Sequence, residues 1–540
     1  MLGYNLPLMK PTSLLAGKAL ALCIIIGMLL SACDNALWGT YDPYLTSTPS
    51  ATALVPTTTA PTSTPASLPS ASPLLLTATD TPATVTLPIS TPTPEQITAL
   101  PGSTFFYTSQ SGDSLNVVAI HFGVLPSDIH ASVPLSATGF INPGTLLILP
   151  AQSSQVPTTP SKQIIPDSEL VDSPSAVGFD IAGYVDTAGG RLSTYTEWMN
   201  TVGTITGAQG IQRISQDSSI SPRLLLALIQ SYTGWVQGQS KPGLDEKYLF
   251  GYINPANTTL YQQLRLVIQD LLTGYYSWRA GTLNTLTFPD GTTLRIAPSL
   301  NAGSVALQYF FSKHLNYADW LQAIDPDTGF LSLYKSMFGD PWERANQLGP
   351  LFPQNMNQPV FTLPFEVNVP WTFIGGPHPA WEAESALGAL DFAPPAAVSG
   401  CFVSHDWVVA VATGQIVRSE SSYVVLDLDG DGFEQTGWVM IYQHIATQDR
   451  IAVGTRVNAG DHIGHPSCEG GTATGTHVHI ARKYNGEWVA AGGPLPFVLS
   501  GWTAHAGNAP YQGTLTKGDK IVIASLVSEH TSQIIRLPGE

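Results

Sequence analysis

The chain has 540 residues, of which only 11% are charged, and its formal net charge is −17. That length calls for several cores rather than one. The acidic balance argues against a nucleic-acid partner, because no basic patch stands ready to neutralise phosphates. Lys and Arg are absent from Cys33 through Ser161, where Thr and Ser carry the polarity.

The N-terminus has the pattern of an export signal. Lys10 and Lys18 flank its start, Ala19 to Leu30 is apolar, and Leu30-Ser-Ala-Cys33 follows. The apolar run is too short for an ordinary membrane span. Small residues before a cysteine resemble the lipobox of bacterial lipoproteins. The resemblance implies a signal peptide over 1–32 and a lipid on Cys33, so that the protein is extracytoplasmic and anchored to the cell membrane. Cys401 and Cys468 then remain, and in an oxidising compartment they are expected to pair. Residues 33–100 form a stalk: from 46 onward Thr, Pro, Ser and Ala dominate, which precludes a packed core. Extended, it reaches more than roughly 100 Å at ~3.1 Å per residue.

Order begins near residue 101. Phe105-Phe-Tyr-Thr predicts a strand, and Val117 to Phe122 a short helix closed by Gly123. Pro126 opens a second short helix, and Asn142-Pro-Gly-Thr-Leu-Leu-Ile-Leu a turn and a strand. Tyr107-Thr, Ser111-Gly-Asp-Ser-Leu115, Phe122-Gly-Val and Asn142-Pro-Gly-Thr-Leu resemble a LysM module over 101–150. That resemblance implies a βααβ unit that binds N-acetylglucosamine-containing glycan. It departs at Ala131-Ser-Val-Pro134, where the family has an Asn-rich loop.

Residues 151–175, again rich in Pro, Ser and Thr, are expected to be a linker, and 176–352 a helical domain. Ser221 is a good N-cap and Pro222 a good first helical residue. Arg223-Leu-Leu-Leu-Ala-Leu-Ile229 is apolar nearly all round, which predicts a buried central helix. Further helices are expected at Thr259–Leu272, Ser304–Leu315 and Phe330–Phe338. Ser221 to Trp235 resembles the catalytic-glutamate helix of lysozyme-like transglycosylases. Tyr232 stands where that family has its acid, with Gln230 two residues away, and neither is a carboxylic acid tuned to protonate a glycosidic oxygen. The resemblance therefore implies a degenerate lysozyme-like scaffold without glycosidase activity.

From Leu351 the pattern becomes β-rich, and a domain over 353–505 is expected. Thr474-Gly-Thr-His477-Val-His479-Ile-Ala-Arg482 places two imidazoles on one face of a strand. Phe373-Ile-Gly-Gly-Pro-His378, Ala389-Leu-Asp391-Phe-Ala and Tyr442-Gln-His444 join it. A catalytic zinc takes three protein ligands from His, Asp or Glu and keeps one position open. His378, Asp391 and His479 supply such a set, leaving His444 and His477 for proton transfer and for stabilising an oxyanion. An aspartate inside an apolar strand is costly to bury without a partner, and metal ligation provides one.

These motifs resemble the lysostaphin/LytM-type zinc metalloendopeptidases, in their beta-lytic, staphylolytic-like branch. The common branch has His-x-x-x-Asp, absent here because position 387 is Leu. The Gly-Gly-Pro-His loop with a longer spacing to Leu-Asp-Phe matches the beta-lytic branch. Tyr442-Gln-His444, Gly470-Gly-Thr-Ala-Thr-Gly-Thr-His477-Val-His479 and Arg456-Val-Asn-Ala-Gly-Asp-His-Ile-Gly464 match as well. The resemblance implies an antiparallel β domain with Zn2+ on His378, Asp391 and His479. It makes His477 the general base, and gives His444 the oxyanion or a share of the proton work.

Asp427-Leu-Asp-Gly-Asp-Gly-Phe-Glu434 begins like a calcium-binding EF-hand loop. Trp438 stands where that loop needs Glu, and the run lies between two strand-like stretches, so a hairpin tip is expected. His405, His462 and His465 lack motif partners and are taken as structural. Residues 506–540 predict a C-terminal β extension with no chemical role. The whole implies a multidomain lipoprotein whose zinc peptidase cleaves peptides in cell-wall peptidoglycan while LysM holds the glycan. The alternatives are a non-catalytic, amidase-activator-like regulator and a pure wall tether.

Overall fold

The computed structural model describes residues 103–151, 157–200, 202–396 and 399–540. The expected signal peptide, Cys33 and the stalk lie outside them. Among the described residues no helix is long and apolar enough to cross a membrane.

The first unit holds β1 (Thr104–Thr108), α1 (Leu115–Phe122), β2 (His130–Ala131) and β3 (Leu146–Pro150), in an antiparallel sheet of order β1-β3-β2. Gly123, at φ 68°, ends α1 as its sequence implied. The second helix expected after Pro126 is only a 3₁₀ turn, Pro126–Asp128, because Ile129 is already extended and leads into β2.

The helical unit is built on α2 (Gly207–Ser218), α3 (Pro222–Thr233), α4 (Leu260–Arg279) and α5 (Ala302–His314). Ser221 caps α3 through Leu224 N–H, and Leu224 through Ile229 are all buried. A capping box of Thr259 and Gln262 starts α4, which continues to Arg279 rather than stopping at Leu272. The linker expected over 151–175 is in part core. Ile164, Ile165, Leu170 and Val171 are buried, and Asp167 accepts hydrogen bonds from Asn301 Nδ2 and Gly303 N–H at 2.7 Å each, at the N-terminus of α5. Two apolar pairs separated by the four residues Pro166 to Glu169 have no period, so composition alone made them look like linker. Tyr232 packs its ring against Phe250 and Phe310, and Gln230 Oε1 accepts from Val236 and Gln237 N–H, so both have structural work.

The chain then forms β4 (Pro370–His378), β5 (Ala389–Ala393), β6 (Gly414–Glu420), β7 (Tyr423–Asp427), β8 (Trp438–Gln443), β9 (Arg456–Val457), β10 (Val478–Tyr484) and β11 (Glu487–Trp488). Next come β12 (Val498–Leu499), β13 (Trp502–Ala506), β14 (Gly513–Lys517), β15 (Lys520–Ile523) and β16 (Gln533–Ile535). The main sheet is antiparallel, in the order β9-β6-β7-β8-β10-β5-β4-β16, with β11 beside β10; β12 to β15 form a second sheet. The boundary expected between 505 and 506 therefore cuts through β13, and β16 returns to the main sheet beside β4. The return of a distant strand such as β16 to the main sheet leaves no local mark in sequence.

Strand alternation sorts the main sheet into two faces. Leu390, Phe392, Val424, Leu426, Met440, Tyr442, Val478 and Ile480 join a core with Phe361, Phe365, Leu499 and Leu515. Ala389, Tyr423, Val425, Val439, Ile441 and Ala481 join the core of the helical unit instead. Buried polar contacts cross the same boundary. Arg418 pairs with Asp217 at 2.5 Å and with Glu434 at 2.8 Å. Glu487 pairs with Arg279 at 3.0 Å and accepts from Tyr275 at 2.8 Å.

Asp172 lies in this boundary, where Gln435 Nε2 donates to its carboxylate at 2.9 Å. Burial pushes it from 3.8 up to about 7, further than Lys483 and the Gln435 hydrogen bond pull it down. An acid with a raised folded pKa binds more protons folded than unfolded, so its contribution to stability falls as pH rises from about 4 to about 7. Asp172→Asn should therefore unfold near the wild-type temperature at pH 4. At pH 8 it should be more stable by an amount of the order of 2–4 kcal/mol. Calorimetry at both pH values checks this.

Candidate metal centre and active site

Register brings the site together. β10 pairs with β5 so that His479 faces Asp391, and with β8 so that Gln443 faces His479, leaving His444 at the end of β8. β4 pairs with β5 through two register shifts, which bring Gly375 opposite Asp391 and His378 opposite Ala389. His378 Nε2, His479 Nδ1 and Asp391 Oδ1 form a triangle with sides of 3.0, 3.1 and 3.2 Å. His477 Nε2 stands 3.8 Å from Asp391 Oδ2. The His444 and His477 ring centroids are 4.4 Å apart.

Each of these four imidazoles is tied by one nitrogen to a backbone carbonyl. His378 Nδ1 donates to Gly376 O (2.8 Å), and His479 Nε2 to Ala380 O (3.2 Å). His444 Nδ1 donates to Glu469 O (3.0 Å), and His477 Nδ1 to Gly475 O (2.8 Å). A carbonyl only accepts, so the anchored nitrogen carries the hydrogen and the other is a lone pair in the neutral ring. In His378 and His479 that lone pair belongs to the atom in the triangle. In His444 and His477 it belongs to Nε2.

The electrostatics follow from burial and proximity. Burial would raise Asp391, but the imidazoles of His378 and His477 beside it hold it well below the carboxylate range. Burial opposes charge on His378, yet Asp391 raises it. Burial lowers His479. It also takes His444 down to about 3, with help from the charges of His477 and His479.

The donor set fits a metal ion. Asp391 Oδ1 is buried and accepts no well-directed hydrogen bond, although two imidazole nitrogens stand beside it. Two imidazole nitrogens and one carboxylate oxygen are zinc donors. Ligands about 2.0–2.1 Å from a tetrahedral ion lie about 3.3 Å apart, close to the sides of this triangle. A second acidic group, Asp427, Asp429 and Asp431, sits at the tip between β7 and β8. There Asp427 accepts from the N–H groups of Asp429, Gly430 and Gly432, as a hairpin tip requires.

All five sequence-derived residues line one open cleft of about 1270 Å³, with Trp381, Tyr423, Phe402 and the Gly471–Thr476 run on its walls. Arg265 of α4 meets Glu382 at its rim, at 2.8 Å. Tyr511, which sequence reasoning passed over, also lines it. Its ring stacks on His378 with centroids 4.2 Å apart, at a left-handed φ of 69°. Its backbone is held by Gly376 N–H and Pro377 O. The left-handed backbone is unusual for a tyrosine, but no sequence signal announces it. His405 is exposed and stands outside the cleft, and His462 and His465 pack on Trp407.

Residues 163–353 match the family model of the LasA N-terminal domain. That match covers the helical unit, including part of the stretch expected to be linker. Among solved structures, the deep-sea M23 metalloprotease pseudoalterin is similar at 22% identity, over 31% of this chain and 96% of that one, with a TM-score of 0.26. The catalytic domain of lysostaphin from Staphylococcus simulans matches at 23% identity, over 23% and 90%, with a TM-score of 0.17. The catalytic domain of EnpA from Enterococcus faecalis matches at 24% identity, over 25% and 95%, with a TM-score of 0.18. No curated protein matches the chain. The reading of the site rests on its own geometry.

A Cβ on Gly375 would stand 2.8 Å from Asp391 Oδ2 and 2.9 Å from its Cβ. Gly375→Ala should push the carboxylate out of the triangle and lower metal content to below a tenth of wild type, with far-ultraviolet circular dichroism unchanged. Elemental analysis of the purified variant checks this.

Proposed function

We propose that the chain is a zinc-dependent endopeptidase that cleaves peptide bonds in bacterial cell-wall peptidoglycan. The observation that carries the reading is the convergence of His378, Asp391 and His479, with His444 and His477 beside them, at the floor of an open cleft. The LasA-like segment just before the site supports it.

Zinc on His378, Asp391 and His479 would supply a Lewis acid for the scissile carbonyl. His477, anchored through Nδ1, takes a proton from the attacking water at Nε2. Gly475 O then stabilises the imidazolium that forms. His444 is held neutral, so its Nε2 also accepts, and it donates to an oxyanion only after receiving a proton. The two rings stand beside each other in the same cleft, with centroids 4.4 Å apart. The aromatic and threonine walls orient an extended peptide.

In this reading Cys33 carries a lipid that anchors the protein outside the cytoplasm. The stalk gives reach, and the LysM-like unit holds N-acetylglucosamine-containing glycan. Joining a weak binder to a hydrolase raises the local concentration of substrate.

Purified wild-type protein should hold about one zinc per chain and release new amino termini from cell-wall preparations. His479→Ala should lose both properties. His477→Ala should keep the metal and lose at least a hundredfold in turnover. Full turnover in His477→Ala would overturn the base assignment, and bound zinc without cleavage of any wall preparation would favour a tether.

A further inference from the structure

Cys401 and Cys468 are disulfide-bonded, and the bond lies where the orientation of His444 is decided. We propose that this disulfide is a positioning link for His444, and that turnover at the site therefore depends on its being oxidised. The inference rests on the peptidase reading above.

His444 has a left-handed backbone, φ 64°, which a non-glycine residue holds only when its surroundings impose it. The imposition comes from the two neighbours of Cys468. Ser467 donates to the His444 carbonyl from its N–H (2.8 Å) and its hydroxyl (2.9 Å). Glu469 offers the carbonyl that fixes Nδ1 of His444. The Glu469 carboxylate also accepts from Thr447 N–H at 2.8 Å and from its hydroxyl at 2.6 Å. Beyond Glu469 the chain runs through Gly470 and Gly471, both at positive φ, and through no helix or strand before β10. Glycines of this kind do not hold a loop in place by themselves.

The other half of the bond secures the far end of the same loop. Gly400 O accepts from Thr476 N–H (3.0 Å), and Phe402 N–H donates to the Thr476 hydroxyl (2.9 Å). Both carbonyls that orient the two non-ligand histidines, those of Glu469 and Gly475, thus belong to one loop held between the disulfide and these contacts. The metal triangle has different supports. Asp391 and His479 lie within the main sheet, and the anchors of His378 and His479 are Gly376 and Ala380. Opening the disulfide should therefore remove the orientation of His444 and spare the metal.

The bond is within reach of a reductant, because Cys401 is exposed and Cys468 half-buried. A dithiol of the thioredoxin class attacks one sulfur as its thiolate and forms a mixed disulfide. Its second thiol then closes the reductant's own disulfide and releases the other cysteine. Two electrons and two protons pass to Cys401 and Cys468, and a disulfide oxidant reverses the step. A chain made in a reducing compartment is then held inactive until it is exported.

The test compares full-length protein as purified, reduced with dithiothreitol, and reoxidised with oxidised glutathione. Thiol state is checked by alkylation and mass. The readouts are zinc per chain, kcat and KM on cell-wall preparations, and the ring-nitrogen NMR signals of His444. Reduction should lower kcat at least tenfold, leave KM within twofold and zinc per chain unchanged, and reoxidation should restore kcat. The Nδ1–H tautomer of His444 should be fixed in the oxidised protein and averaged in the reduced one. The Cys401→Ser, Cys468→Ser double variant should behave as the reduced protein. Unchanged kcat and His444 signals after verified reduction would overturn the proposal, as would loss of zinc in step with activity. If the oxidised wild type cleaves nothing, the peptidase reading fails, and the NMR arm still decides whether the disulfide orients His444.

Discussion

A carboxylate buried between Leu390 and Phe392, in the middle of a sheet, is the constraint on which the site depends. Alone it would be costly, and neutralising it by protonation would discard its use. The fold instead surrounds it with imidazoles. That arrangement requires Gly375 on the adjacent strand, because no side chain fits there, and it requires the register that sets His479 opposite. It also requires that each ring be turned the right way, which the four backbone carbonyls accomplish.

Much of this was legible in the sequence. The period-two alternation of β10 implied a common face for His477 and His479, and the Gly-Gly-Pro-His and Leu-Asp-Phe runs pointed to His378 and Asp391 through a family resemblance. Other features were hidden for definite reasons. Tyr511 reaches His378 through a loop that pairs with Gly376 and Pro377, and no periodicity records a loop–loop contact. The tautomers depend on which carbonyl lies near each ring, which is a tertiary fact. Ile164, Ile165, Leu170 and Val171 looked like linker because proline and serine surround them, yet they complete the helical core. Composition reports the average of a segment, whereas burial is decided residue by residue.

The helical unit does not fill the cleft. It shares a continuous core with the main sheet, and buried pairs such as Arg418–Asp217 and Arg279–Glu487 cross the boundary. Buried charges of this kind confer registry more than strength, since each must recover its desolvation cost. They fix how the helices sit, and with them the rim at which Arg265 meets Glu382.

The alternation that places His479 and Asp391 on one face also places Ala481 and Ala389 there, two residues further along each strand. The first pair lines the cleft and the second lies in the helical core. The same face therefore passes from cleft to core within a single side-chain repeat, so the metal-binding pair stands where the helical unit stops covering the sheet.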